Sequence, residues 1–298
     1  MLVDTSLPNL LHRGKVRDTC LLADDLLLMV ATDRISAFDV VLPNGIPDKG
    51  LVLNRMSAFW FEQIRHLVPN HFLCLADAPG VAARFKGDRV LAMLDPEVAC
   101  RAMVVQRAER INIECIVRGY IAGSAWSEYR RRGTVCGKPV LPNMLEGEVF
   151  PEPLFTPTTK AEQGHDQNMT DREVTDLFGS ELADQLERYS KAVYGFAREY
   201  AWGRGIILAD TKMEFGLVDG RLILIDELLT PDSSRFWDRE GYQPGKPQPN
   251  FDKQYVRDWL TAQGWNREPP APQLPDDVVA KTSDRYREAY YRITGARI

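Results

Sequence analysis

Several features that would fix the class of a chain are missing from this one. The longest apolar run, Leu26 to Ala31, is far short of the ~20 residues that span a bilayer, so no membrane partner is expected. The N-terminal stretch MLVDTSLPNLLHRG has no basic segment followed by an apolar one, and no secretion signal is expected. A surplus of positive charge is also absent. The net charge of −5 and pI near 5.5 leave no basic face for nucleic acid, so any anionic substrate must meet local positive charge. The five cysteines, Cys20, Cys74, Cys100, Cys115 and Cys136, are odd in number and form no C-x-x-C pair. Free thiols in a reducing compartment, hence the cytoplasm, follow from that spacing. The four histidines include no H-x-x-x-H pair, so a zinc site is unsupported. There is no G-x-x-x-x-G-K-[ST] loop, no internal repeat, and no segment that demands an obligate protein partner.

What is present suits a soluble globular protein. At 298 residues and 44% hydrophobic content, the chain can bury roughly three quarters of its unfolded surface. The first hundred residues read as strand-rich, with strands at Gly14 to Thr19, Leu26 to Ala31 and Ala102 to Arg107. One helix interrupts them, from about Asn54 to Val68, with Leu53, Met56, Trp60, Ile64 and Leu67 at helical steps. From Thr170 the pattern turns helical: Thr170-x-x-Glu173 is a capping box, and the stripe Leu182, Leu186, Tyr189, Val193, Phe196 and Tyr200 runs to Gly203. A proline-rich loop (Pro244, Pro247, Pro249), a helix near Asp252 to Gln263, a connector Glu268 to Pro275 and a last helix to about Thr294 complete the order. The expected class is α+β in two lobes: a smaller, mainly antiparallel β lobe over 1–107 and a larger mixed α/β lobe over 108–298, with an ATP cleft between them.

The stretch LADTKMEFGLVDGRLILIDELLTPDSSRFW places charge where a buried sheet should have none. Asp210, Lys212 and Glu214 alternate with Thr211 and Met213, so an extended backbone points all three to one face. A turn at Asp219-Gly220 returns the chain through Leu222 to Ile225, ending at Asp226-Glu227. An amphipathic strand with one solvated face would explain a lone D-x-K-x-E. Carboxylates converging beside a lysine at the open end of a hairpin suit Mg²⁺, which takes one or two carboxylates and fills its other positions with water and phosphate oxygens. Register constrains this reading. A two-residue turn pairs Glu214 with Ile225 and leaves Asp226 on the opposite face. A shared metal therefore requires a three-residue loop through Arg221, or a bulge or strand ending before Asp226.

Other motifs carry weaker signals. RGKVRD sets one glycine beside Lys15 and Arg17, either a charged turn or a cover for a triphosphate. Ala31 to Gly50 reads as a long functional loop carrying Asp33, Arg34, Ser36, Asp39 and Lys49. ECIVRGYIAGSAW runs a strand into a glycine-rich turn with Arg118 and Ser124 at the start of a helix, an anion cradle or a plain N-cap. TPTTKAEQGHDQN is a polar surface loop or a lid.

RGKVRD, ATDRISAFD, KGLVLNRMSAFWF, ECIVRGYIAGSAW, TKAEQGHD, LADTKMEFG and DELLTPDSSRFW, in this order between Arg13 and about Leu260, resemble the SAICAR synthetase family of purine biosynthesis, phosphoribosylaminoimidazole-succinocarboxamide synthases. GYQPGKPQPNFDKQYVRDWL is similar to the longer form of that family. The resemblance implies an ATP-dependent ligase that activates the carboxylate of carboxyaminoimidazole ribonucleotide (CAIR) as an acyl phosphate and joins it to L-aspartate, releasing ADP and phosphate. It implies Mg²⁺ on Glu214 and Asp226, and ATP phosphates under Lys15 and Arg17. Adenine would lie against the backbone of Gln106, Arg107 and Ala108. Arg118, Ser124 and Arg235 would hold the CAIR phosphate and carboxylate, while Asp210 and Lys212 orient the imidazole and the transferring phosphoryl. Ser36, Asp39, Lys49, His165 and Asp166 would border the substrates. The alternatives are a small-molecule kinase with a related two-lobed ATP site, although no H-R-D-x-x-x-x-N or D-F-G is present, and a non-catalytic nucleotide-binding module, which would need no second set of phosphate-binding residues.

Overall fold

Five antiparallel strands form the first sheet, in the spatial order Leu10–Arg13, Arg17–Ala23, Leu26–Ala31, Ala102–Gln106 and Phe72–Leu75. The computed structural model describes residues 1–85, 88–160 and 166–298. One face of this sheet, through Cys20, Leu28, Val30, Ala102 and Val104, packs under short helices between residues 81 and 99. The other face, through Met29, Ala31, Met103 and Val105, meets the helix Lys49–Gln63 and continues into the main core.

The second sheet is built around one long strand, Ile206–Val218. Its first half lies between Ile113–Tyr120 and Ser234–Asp238, and its second half pairs with Arg221–Ile225. Ile206, Leu208, Met213 and Phe215 join the main core beside the helix Ser180–Trp202, where the Tyr194 hydroxyl donates to the Leu208 carbonyl at 2.8 Å. The core therefore runs through both lobes. The helices Gln254–Ala262 and Asp276–Thr294 close the chain, and among the described residues no helix is long and apolar enough to cross a membrane. All five cysteines are free thiols.

Three local expectations are corrected. The strand expected over Gly14 to Thr19 begins at Arg17, because Gly14 to Val16 form the turn. The helix expected from Asn54 starts at Lys49, where the Gly50 N–H is fixed by Asp33 Oδ1 at 2.9 Å, and it stops at Gln63. The expected loop over Ala31 to Gly50 is a hairpin, Arg34–Ala37 with Val40–Gly45, turned through Phe38 and Asp39 at φ of 51° and 66°. Its Ile35, Ala37 and Leu42 pack on Val256, Leu260 and Val278, and this burial makes the segment regular. The capping box forms as read: Thr170 N–H donates to Glu173 Oε2 at 2.7 Å, and the Thr170 hydroxyl caps Glu173 N–H.

Candidate functional site

Strand alternation on Ile206–Val218 divides its charged stretch between two surroundings. Thr211, Met213 and Phe215 are fully buried, with Thr211 held by the Ser234 hydroxyl at 2.8 Å. Asp210, Lys212 and Glu214 face the other way, toward the cleft. A cavity of about 270 Å³ lies there, lined by Arg118, Ser124, Asp210, Lys212 and Arg235, together with Ser233, Asp252, Lys253 and Arg257. Five residues selected from three separate motifs thus meet in one space.

Asp210, 5% exposed, organises that cavity. Its Oδ2 accepts from Arg118 Nη1 at 3.1 Å and from Arg235 Nη1 at 2.5 Å. Arg118 also donates Nε to the Thr156 hydroxyl at 3.0 Å and Nη2 to the Ser124 hydroxyl at 3.2 Å. Ser124 lies inside the helix Gly123–Arg132, which is capped from Ala122, so its hydroxyl serves Arg118 instead of the helix end. Gly123, at φ 56°, lets the Arg235 guanidinium lie against the backbone, where any Cβ would collide with it. Burial lowers the pKa of Arg118 despite Asp210, whereas Asp210 raises that of Arg235 above its ordinary value.

The hairpin has the regular two-residue turn, with Val218 opposite Arg221 and Glu214 opposite Ile225. Asp219 and Gly220 take left-handed conformations, as this turn requires. The strand ends at Ile225, and Asp226 adopts φ 67°, which redirects its carboxylate. Glu214 pairs with Lys160 and with Lys212 at 3.5 Å, and the same two lysines help to depress the Asp226 pKa, so both carboxylates face shared cations. Burial alone would raise Asp226, but Arg17 and then the lysines outweigh it. Arg17 Nη1 meets Asp226 Oδ1 at 3.0 Å, and Nη2 meets Glu227 Oε1 at 2.6 Å. Lys212 bonds Glu114 at 2.5 Å, and its pKa is raised because Glu214 and Glu114 outweigh burial. Among the described residues no group of three or more His, Cys, Asp or Glu forms a metal cage. A pair of carboxylates beside lysines fits Mg²⁺ that keeps water and phosphate ligands.

His71, Glu114 and Lys160 at this end of the hairpin have no role in the sequence reading, which names Glu227 only as the partner of Asp226 in an acidic pair. Burial lowers the His71 pKa to about 4, so the ring is neutral, and its Nε2 donates to the Asp226 carbonyl at 3.2 Å. This bond supports the turned backbone of Asp226.

The remaining selected residues are spread more widely. The RGKVRD turn is held from behind by Arg34, whose guanidinium donates to the Lys15 and Gly14 carbonyls and to Asp18 Oδ1 at 2.6 Å. Lys15 reaches Asp39 at 2.5 Å, joining the turn to the Arg34–Gly45 hairpin that carries Ser36. Lys49 lies behind the cavity, fully buried, and bonds Asp232 Oδ2 at 2.8 Å; Asp232, which lines the cavity, also accepts from the Tyr286 hydroxyl at 2.6 Å. Gln106 and Arg107 spend their N–H groups on the His71 and Asp25 carbonyls, while Ala108 lies close to Gly216 of the long strand. Asp166 is near enough to Glu114 to raise its pKa, after burial and against Lys212. His165 lies outside the described residues. A larger cavity of about 880 Å³, near Arg65, Arg84 and Arg221, is lined by only Gln106 of the selected set.

A family profile described as SAICAR synthetase matches residues 10–272. The phosphoribosylaminoimidazole-succinocarboxamide synthase of Methylobacillus flagellatus is 51% identical over 288 residues, covering 96% of this chain and 94% of that protein. The synthase of the same name from Syntrophotalea carbinolica is 49% identical, covering 100% of this chain and 99% of its own. A solved structure of the Saccharomyces cerevisiae SAICAR-synthase, complexed with SAICAR, superposes with a TM-score of 0.85 at 40% identity, over 99% of this chain and 97% of that one.

Proposed function

The chain belongs to the SAICAR synthetase family, ligases of purine biosynthesis that use ATP, and on that premise we propose that it joins CAIR to L-aspartate through an acyl phosphate, with release of ADP and phosphate. The observation that carries this reading is the cavity in which Arg118, Ser124, Asp210, Lys212 and Arg235 converge beside a two-carboxylate hairpin end. A carboxylate oxygen is a poor nucleophile and is repelled by a triphosphate, so the site has to hold two polyanions together and neutralise them.

In this reading Arg118, Arg235 and Ser124 hold the CAIR phosphate and carboxylate, and Lys212, beside Glu214, faces the transferring phosphoryl group. Asp210 fixes the two arginine forks and orients the imidazole. Lys15 and Arg17 lie over the ATP phosphates. Arg17 is occupied by Asp226 and Glu227, so it would act on ATP and on the metal-site carboxylates together. Glu214 and Asp226 would hold Mg²⁺, which supplies charge neutralisation for the phosphates. Adenine would meet Ala108 most directly, because the N–H groups of Gln106 and Arg107 are already committed. Ser36, Asp39, Lys49 and Asp166 border these positions. The division at 107/108 would be the hinge about which the lobes close, and the five free thiols suit the cytoplasm.

The test is substrate dependence with isotope exchange. Turnover to ADP should require both CAIR and aspartate, and ATP labelled at the β,γ-bridge should scramble with CAIR alone. A kinase would need only one acceptor. Absence of scrambling in protein that binds both ligands would favour a concerted displacement.

A further inference from the structure

The cavity wall carries three acids, Asp210, Asp232 and Asp252, and neither Asp232 nor Asp252 has a role in the reading above. The segment Pro249 to Phe251 runs beside Ser234–Asp238, with Asp238 N–H on the Pro249 carbonyl at 2.8 Å and Phe251 N–H on the Phe236 carbonyl at 2.9 Å. It thereby delivers Asp252 to the cavity wall, 2% exposed, close to Arg235. Asp252 Oδ1 accepts the Gln254 N–H at 2.7 Å, while the buried Oδ2 has no partner among the described residues. The other two carboxylates on this wall are engaged, Asp210 by two guanidinium groups and Asp232 by the Lys49 ammonium and the Tyr286 hydroxyl. Of the three substrates only aspartate brings an ammonium group, which must lose one proton before its nitrogen can attack and a second to leave the neutral amide.

We propose that Asp252 is the base that takes the first of these protons. The proposal rests on the ligase reading above. Asp252 Oδ2 accepts one proton from the ammonium and frees the nitrogen lone pair; as that nitrogen bonds to the acyl carbon, the carbon–oxygen bond to phosphate breaks, and phosphate leaves with that electron pair and carries off the second N–H proton. The groups facing Asp252 are Asp210 from the long strand, Arg235 from Ser234–Asp238, Arg257 from the helix Gln254–Ala262 and Tyr286 from the last helix, with Lys253 adjacent. Burial, helped by Asp210, outweighs the arginines and raises its pKa to about 6, so it is ionised at neutral pH yet able to accept a proton.

The experiment compares two nucleophiles on the wild type and on Asp252→Asn, which keeps the acceptor for Gln254 N–H. Hydroxylamine, largely unprotonated at neutral pH, needs far less help from a base than aspartate does. With aspartate, kcat should fall by about 100-fold or more in Asp252→Asn. Its acidic limb near pH 6, present in the wild type at saturating ATP and CAIR, should disappear, and hydroxamate formation from ATP, CAIR and hydroxylamine should change by only a few-fold. Equal loss with both nucleophiles, or an acidic limb that survives the substitution, overturns the proposal. A wild-type profile without the limb overturns it with no variant needed. Absence of hydroxamate from the wild type would instead count against the acyl phosphate, and the aspartate profiles would still decide for or against Asp252.

Discussion

Removing Lys49 should destabilise the protein more than any surface substitution could, and the pattern of rescue shows what the lysine does. Its ammonium is fully buried and bonded at 2.8 Å to Asp232, whose side chain is 3% exposed. Lys49→Met leaves Asp232 with the Tyr286 hydroxyl as its remaining hydrogen-bond donor among the described residues. Breaking a buried pair from one side costs about 3–5 kcal/mol. That is a large fraction of the roughly 5–15 kcal/mol that holds a domain folded. Adding Asp232→Asn removes the orphaned charge and should recover at least half of the loss. Urea unfolding followed by tryptophan fluorescence measures both, and a double variant no more stable than Lys49→Met alone would refute the argument. The sign with pH is also fixed. Lys49 and Lys253 hold Asp232 below its ordinary value against burial, so its contribution is present above the unfolded carboxyl pKa of about 3.9 and is lost as pH falls below that. The stability gap between wild type and the double variant should therefore narrow in acid.

Glu214→Gln and Asp226→Asn should each abolish most turnover, and the double variant should lose little more than either alone, because residues acting on one metal are not additive; additive losses in kcat would separate their roles. Arg118→Lys keeps charge but loses a fork that reaches Thr156, Asp210 and Ser124, and should weaken CAIR binding by about 1–3 kcal/mol while leaving ATP binding nearly unchanged, which calorimetry with each ligand can check. Gly123→Ala forces a left-handed residue against the Arg235 guanidinium and should cost about 1–3 kcal/mol in thermal stability, with an additional loss of CAIR affinity. A thermal transition equal to that of the wild type would show that Arg235 can move aside without penalty.

The parts of the fold and site legible in the sequence are those specified by neighbouring residues. The capping box at Thr170, the Asp219-Gly220 turn and the alternation of Asp210, Lys212 and Glu214 are local patterns, and each forms as written. The end of the strand before Asp226 is one of the alternatives that turn geometry and the chemistry of a shared site leave open, and the structure selects it over a three-residue loop. The 34–45 hairpin was read as a loop because its apolar residues find their partners in Val256, Leu260 and Val278, more than 200 residues later. Asp252, Lys253 and Arg257 were missed for the same reason: a proline-rich approach reads as connector, and only its pairing beside Ser234–Asp238 turns it toward the cavity. His71 lacked any motif, yet its segment joins the two sheets, through Asn70 beside Leu224 and the His71 carbonyl on Gln106 N–H.

Two of the three arginines of the cavity, Arg118 and Arg235, share one carboxylate oxygen but differ in what they have left to offer. A guanidinium has five N–H groups. Arg118 commits all three of its nitrogens, to Thr156, Asp210 and Ser124, and its side chain is 6% exposed. Arg235 donates only to Asp210 among the described residues and is 21% exposed, resting on the bare backbone of Gly123. Arg118 is thus fixed in place before any ligand arrives, whereas Arg235 retains most of its donors and some freedom to turn. A pair so built meets an anion with one anchored positive charge and one adaptable fork. An acidic chain of net charge −5 can in this way concentrate positive potential in one cavity without exposing a basic surface.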